Sequence, residues 1–189
     1  MIEGIQDTVT KPNPAASTET HRMGVYCTWR GFDVEDVVDW LRFLPSKSVP
    51  TPSPDMVRQI DSRFVLAVPW NEKRLESVQA GYAQGRTLPP CRLVPVHFRG
   101  LPPLYIVLDG MHRSYVARTL GKPVTATLSN RTLIYDTSIM QIKNGKLLTD
   151  DYAPLQLIHE QYAFYCSLGI EDHSSAIARL LSKLCAKTS

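Results

Sequence analysis

The chain has 189 residues, 43% of them hydrophobic and 21% charged, with a formal net charge of +3. These are the proportions of one globular domain of middling size with short appendages. They exclude a transmembrane helix and a signal-peptide core, since no apolar run is long enough, and the mild basicity permits nucleic-acid contact without arguing for it.

Residues 1–22 are rich in Thr, Pro, Asn and Ala and predict a loose arm. Residues 25–29 (VYCTW) predict a short strand, interrupted by Gly31. Asp33 is placed to cap a helix over 34–44, with Val34, Val37, Val38, Leu41 and Leu44 on one face. Asp33, Glu35 and Asp36 crowd its first turn and suit the dipole better than they suit a catalytic pair. Residues 45–54 (PSKSVPTPSP) read as a connector, 55–60 as a helical turn and 64–68 (FVLAV) as a strand.

Asn71 is a good N-cap for a helix over 72–84, with Leu75, Val78 and Tyr82 on its apolar side and Gly85 at its end. Lys73, Glu76, Ser77 and Ala80 make a second stripe. The alternating segment 92–98 predicts a strand, and Pro95 within it suggests an edge position. The most informative stretch is 105–124, YIVLDGMHRSYVARTLGKPV. Tyr105, Ile106, Val107 and Leu108 suit a buried strand. Asp109-Gly110 breaks it. The period then becomes helical, with Tyr115, Val116, Thr119 and Leu120 on one side, until Gly121 and Pro123 stop it and a second strand follows over 124–128.

Beyond this, residues 133–135 form another apolar run, and Asn144-Gly145 predicts a turn between two short strands. A helix is expected within 150–168, with Leu155, Ile158, Tyr162 and Tyr165 on one face. After Gly169 a last helix is expected over about 172–187, on the stripe Ile177, Leu180, Leu181 and Leu184. The four cysteines, Cys27, Cys91, Cys166 and Cys185, are far apart and read as buried thiols in a reducing compartment, with the cytoplasm as default.

The chemistry concentrates at the Asp109-Gly110 turn. A helix that starts at Gly110 or Met111 presents unpaired N–H groups and a positive dipole end, which suit an anion. Gly110 admits close approach to the backbone, and His112, Arg113 and Ser114 add donors in the first turn. The turn therefore reads as a phosphate or nucleotide site. The plainer alternative is an N-cap aspartate with Arg113 paired at the surface.

Strand, glycine-terminated helix, edge strand, strand with a G-x-H-R turn, helix and strand is a pattern that resembles the ParB/sulfiredoxin superfamily, over residues 64–128. Sulfiredoxin carries FGGCHR at the turn and ParB partition proteins GERR; DG-x-HR occurs in ParB-like nucleases and in a free-serine kinase. The resemblance implies an α+β fold with a mixed sheet and a phosphate-binding strand–turn–helix, residues 23–150 as the domain, and 151–189 as a helical extension. It implies ATP or CTP with Mg²⁺ as cofactors. Counting back from Pro89-Pro90, the ATP-contacting lysine of sulfiredoxin falls on Lys73, its serine on Glu76 and its threonine on Ala80. Its reactive cysteine falls on Met111, whose thioether cannot be the nucleophile, so sulfinic-acid reduction is rejected.

Lys73, Gly110, Met111, His112, Arg113 and Ser114 are accordingly the expected nucleotide-binding residues. Glu76 and Asp109 are expected to hold Mg²⁺ or orient a water, with His112 and Arg113 completing the catalytic set. The implied activity is that of an ATPase and DNA nuclease, contacting DNA through its phosphates. More narrowly, the arrangement is similar to plasmid fertility-inhibition factors that block DNA transfer by a type IV secretion system. This implies a coupling protein as partner and a peripheral place at the inner membrane. A non-catalytic nucleotide-binding inhibitor and a small-molecule kinase are the competing readings.

Overall fold

The structure, a computed structural model, describes residues 28–150 and 152–173. The arm expected at 1–22, most of the strand expected at 25–29 and nearly all of the last helix expected at 172–187 lie outside the described residues.

Thr28–Trp29 (β1) and Phe32–Asp33 (β2) form a small hairpin. Asp33 caps the helix Val34–Leu41 (α1) as expected, accepting from the Glu35 N–H at 2.8 Å. The helix buries Val34, Val37, Trp40 and Leu41, and Leu44 is buried just beyond its end. The next two expectations fail. Within the supposed connector, Lys47–Pro50 (β3) is an exposed strand, and Arg58–Ile60 (β4) is a strand where a helical turn was expected. Both are short segments whose state is set by a distant partner strand rather than by local preference.

A 3₁₀ turn at Ser62–Phe64 leads into Val65–Leu66 (β5), shorter than the strand expected over 64–68. Asn71 caps Glu72–Ala83 (α2), its side chain accepting from the Arg74 N–H at 3.0 Å. Then follow Cys91–Phe98 (β6), Leu104–Asp109 (β7), Met111–Thr119 (α3), Val124–Leu128 (β8) and Arg131–Tyr135 (β9). Met140–Lys143 (β10) and Lys146–Thr149 (β11) pair across Asn144-Gly145, both at positive φ as the two-residue hairpin requires. Leu155–Gln156 (β12), His159–Ser167 (α4) and Glu171–Asp172 (β13) complete the described chain. The helix expected within 150–168 thus begins only at His159. Ile158 is exposed, and Phe164 with Tyr165 supplies the buried side. Residue 172 belongs to a strand, not to the start of a helix.

The main sheet runs β3-β9-β6-β7-β5, with β8 also on β6 and β4 on β8. A second sheet runs β12-β11-β10-β13. The architecture is therefore α+β with mixed sheets. Strand β6 is internal, which overturns the edge position expected from Pro95. On one side β6 is antiparallel to β7; on the other, residues 91–93 pair with β8 and 96–98 with β9. Pro95 falls in the gap between those two registers, where the missing N–H breaks no ladder.

Each face of the main sheet has its own core. One, under α2 and α3, contains Val65, Leu93, Val107, Tyr115, Val116 and Ala126. The other joins Val37, Leu41, Val96, Phe98, Ile142 and Phe164, so residues 152–173 share a core with α1. Full burial of one such side chain is worth ~1.5–3 kcal/mol. The side of α3 that is buried also differs from expectation: Ser114, Tyr115, Val116 and Ala117 are all enclosed, while Thr119 is exposed and Leu120 is 50% exposed.

One topological feature positions the site. Strands β5 and β7 are parallel neighbours, Val65 facing Tyr105 and Leu66 facing Ile106. Each is followed by a helix. The N-termini of α2 and α3 must therefore emerge at the same edge of the sheet. Among the described residues no helix is long and apolar enough to cross a membrane.

Candidate functional site

Helix α3 starts at Met111, and its N-cap is Gly110, at φ 88° and ψ 27°. Asp109 is not the N-cap, which overturns that alternative. The cap contributes no side-chain acceptor, while the first N–H groups of any α-helix lack partners within it. Only glycine fits here. A Cβ on Gly110 would lie 2.5 Å from Cys91 Sγ and 2.8 Å from Arg113 Nη2.

Arg113 folds back across this turn. Its Nη2 donates to Asp109 Oδ2 at 3.0 Å and to the Pro90 carbonyl at 3.4 Å, and its side chain is only 19% exposed. The pairing of Arg113 thus agrees with the plainer expectation, although the guanidinium is not at the surface. Its Nε is buried without a partner. Ser114, one position further, is fully buried and its Oγ is likewise unpartnered. Two orphaned polar atoms in one helical turn are unusual, because buried polar groups are otherwise nearly always hydrogen-bonded.

His112 and Met111 look the other way, toward the segment that enters α2. The Asn71 N–H donates to His112 Nε2 at 3.2 Å, and the Val68 N–H reaches Met111 Sδ at 3.0 Å. An Nε2 that accepts requires the proton on Nδ1. Burial, and secondarily the nearby Arg74 guanidinium, hold the imidazole below its ordinary pKa, so it is neutral near pH 7. These bonds bring the start of α3 against the segment that leads into α2 and its N-cap.

Lys73 and Glu76 stand on the exposed side of α2, and among the described residues neither side chain makes an ion pair or hydrogen bond. The structure therefore brings together Asp109, Gly110, Cys91 and Arg113 at the turn, and His112 with Asn71. It leaves Lys73 and Glu76 free in solvent. Among the described residues no group of three His, Cys, Asp or Glu side chains could hold a metal ion. Asp109 and Glu76 are at most two carboxylates, one already salt-bridged. Mg²⁺ commonly takes one or two carboxylates and completes its shell with phosphate oxygens and water, so it would fit here only together with a phosphate ligand.

Sequence reasoning passed over four contributors. Asn71 is legible in the sequence as a cap but not as the contact to His112. Arg74 biases the His112 charge state. Cys91 forms the floor under Gly110. Trp70 packs on His112 with ring centroids 4.6 Å apart and is 56% exposed. The adjacency of Trp70-Asn71 to the next helix start was the available signal, and only the parallel pairing of β5 with β7 gives it meaning.

The fold and this edge define an α+β chain in which two helix starts meet through Asn71 and His112, beside a glycine turn crossed by Arg113. No protein-family model matches the chain, and no curated protein matches it.

Proposed function

We propose that the chain binds a nucleoside triphosphate through its phosphates at the paired starts of α2 and α3, on a core of ParB/sulfiredoxin-like type. The observation that carries this reading is the uncapped turn at Gly110 with Arg113 lying across it, one guanidinium nitrogen buried and unpartnered. A phosphate that draws Arg113 off Asp109 satisfies its Nε and the first N–H groups of α3 together, and charge-assisted bonds of this kind are the strong ones. Lys73 and Arg74 in the first turn of α2 supply further positive charge. His112 serves by position: neutral, with Nε2 engaged by Asn71, it holds the two helix starts in register and leaves Nδ1–H to donate.

Asp109 then acts as the resident anion. Its carboxylate holds Arg113 until phosphate takes over, after which Asp109 is free to face the ligand's cation. ATP hydrolysis and DNA cleavage, implied by the resemblance, gain from that exchange, because it releases Asp109 Oδ2, the oxygen that Arg113 holds. Inhibition of DNA transfer through a type IV secretion coupling protein is the biological setting the resemblance implies for this activity.

The test is calorimetric titration of ATP, with and without Mg²⁺, into the wild type and Asp109→Asn, followed by single-turnover hydrolysis and nicking of plasmid DNA. Asp109→Asn should bind Mg²⁺-free ATP at least as tightly as the wild type, since a competitor is removed, and should lose any hydrolysis. Absence of ATP binding in the wild type would sink the proposal. Binding without turnover would leave a non-catalytic nucleotide-dependent inhibitor.

A further inference from the structure

Trp70 is a large aromatic side chain on this edge whose exposure packing does not explain. It follows Pro69 and immediately precedes the N-cap of α2, so its backbone is fixed by the start of a capped helix. Its ring meets His112 at an interplanar angle of 65° with centroids 4.6 Å apart. His112 is 7% exposed and tied to Asn71, so the imidazole is a rigid support. Trp70 is nevertheless 56% exposed. An indole held from one side and open over more than half its surface is a platform without its second layer.

The ring's place gives the platform a ligand class. Trp70 immediately precedes the N-cap of α2 and packs on His112 in the first turn of α3, so the indole stands where the two helix starts of the proposed phosphate site meet. Bare phosphate has no use for an aromatic plane. A nucleobase does, and stacking on tryptophan is insensitive to the hydrogen-bonding edge of the base. We infer that Trp70 is the base platform of this site: the phosphates sit at Gly110 and Arg113, and the base stacks on the open indole face. This rests on the phosphate reading given above and adds the part of the ligand recognised and the residue that recognises it. Because a flat platform reads ring area and not base identity, ATP and CTP both bind, with ATP favoured by its larger ring.

The experiment separates base from phosphate. ATP, CTP and inorganic tripolyphosphate are titrated against the full chain, Trp70→Ala and Trp70→Phe, with circular dichroism confirming that each variant is folded. Trp70→Ala should weaken ATP by about 5- to 150-fold, the worth of one base–aromatic stack, and leave tripolyphosphate within about twofold. Trp70→Phe should restore most of the ATP affinity. If Trp70→Ala leaves ATP unchanged, or weakens ATP and tripolyphosphate equally, the platform is overturned while the phosphate site stands. If the wild type binds neither ATP nor tripolyphosphate, the phosphate reading and the platform fall together.

Discussion

Two helix ends in this molecule are finished in opposite ways. At the C-terminal end of α1 there is no basic residue in the last turn, yet the final carbonyls are covered. Tyr135 Oη donates to the Leu41 carbonyl and Tyr165 Oη to the Trp40 carbonyl, each at 3.1 Å. Both tyrosines are buried, and burial raises both phenol pKa values, so they remain donors throughout the accessible pH range. At the N-terminal end of α3 the cap is a glycine with nothing to offer, and Arg113 Nε and Ser114 Oγ nearby are buried and unpartnered. The first end is closed by long-range side chains and serves stability. The second has no side-chain cap, and on the proposed reading a phosphate supplies there what the chain withholds.

The comparison breaks most visibly at Gly110. Replacement by Ala forces a side chain into the left-handed region, at ~1–2 kcal/mol, and drives a Cβ against Cys91 Sγ, which adds about 1–3 kcal/mol of overpacking. Gly110→Ala should therefore lower stability by roughly 2–5 kcal/mol and abolish ATP binding, as read by denaturant unfolding and calorimetry. Adding Cys91→Ala should recover only the part of the clash that the thiol supplies, leaving the Arg113 contact and the backbone cost. Full recovery would show that the backbone conformation was never required.

How far this site was legible depends on the range of the interactions that build it. Asp33, Asn71 and Asn144-Gly145 act within a few residues, and their caps and turn were readable from spacing. The order strand, Asp-Gly, helix over 104–119 was readable for the same reason. The strands at 47–50 and 58–60 were not, because their partners, at 131–134 and 124–126, are far along the chain. Pro95 misled because a proline is tolerated inside a sheet where a strand changes neighbours. At the site, Arg113 was visible as a cation, but its fold-back onto Asp109 was not, since i,i+4 pairing competes with reaching outward. The His112–Asn71 contact spans 41 residues and needed the parallel β5–β7 pair to become apparent.

The next largest effects should divide cleanly between the two helix ends. Arg113→Ala removes a charge-assisted phosphate partner worth ~1.5–3 kcal/mol, so ATP should bind about 10- to 150-fold more weakly. Its stability should change by less than about 1 kcal/mol, because the lost pair with exposed Asp109 is offset by removal of a buried unsatisfied Nε. Tyr165→Phe should show the reverse. Losing its hydroxyl costs about 1 kcal/mol, or roughly 2–4 °C in Tm, with ATP affinity unchanged. A variant of either kind that moved both readouts together would erase the distinction between a stabilising end and a binding end.

The smallest effect concerns pH and sharpens the role of His112. Its folded pKa lies below the ordinary value, because burial and then Arg74 disfavour the imidazolium. The unfolded chain therefore takes up a proton near pH 6.5 that the folded chain refuses. Where the unfolded state binds more protons, stability rises with pH. The His112 contribution is thus fully present above about pH 6.5 and declines as pH falls toward the folded pKa. His112→Gln keeps an acceptor for the Asn71 N–H but has nothing to protonate. Urea unfolding from about pH 7.5 to pH 5 should give a shallower loss of stability in His112→Gln than in the wild type, with similar stability at the upper end. Equal slopes would mean that the imidazole is as free to charge in the folded chain as in the unfolded one, and that it is no rigid link between the two helix starts.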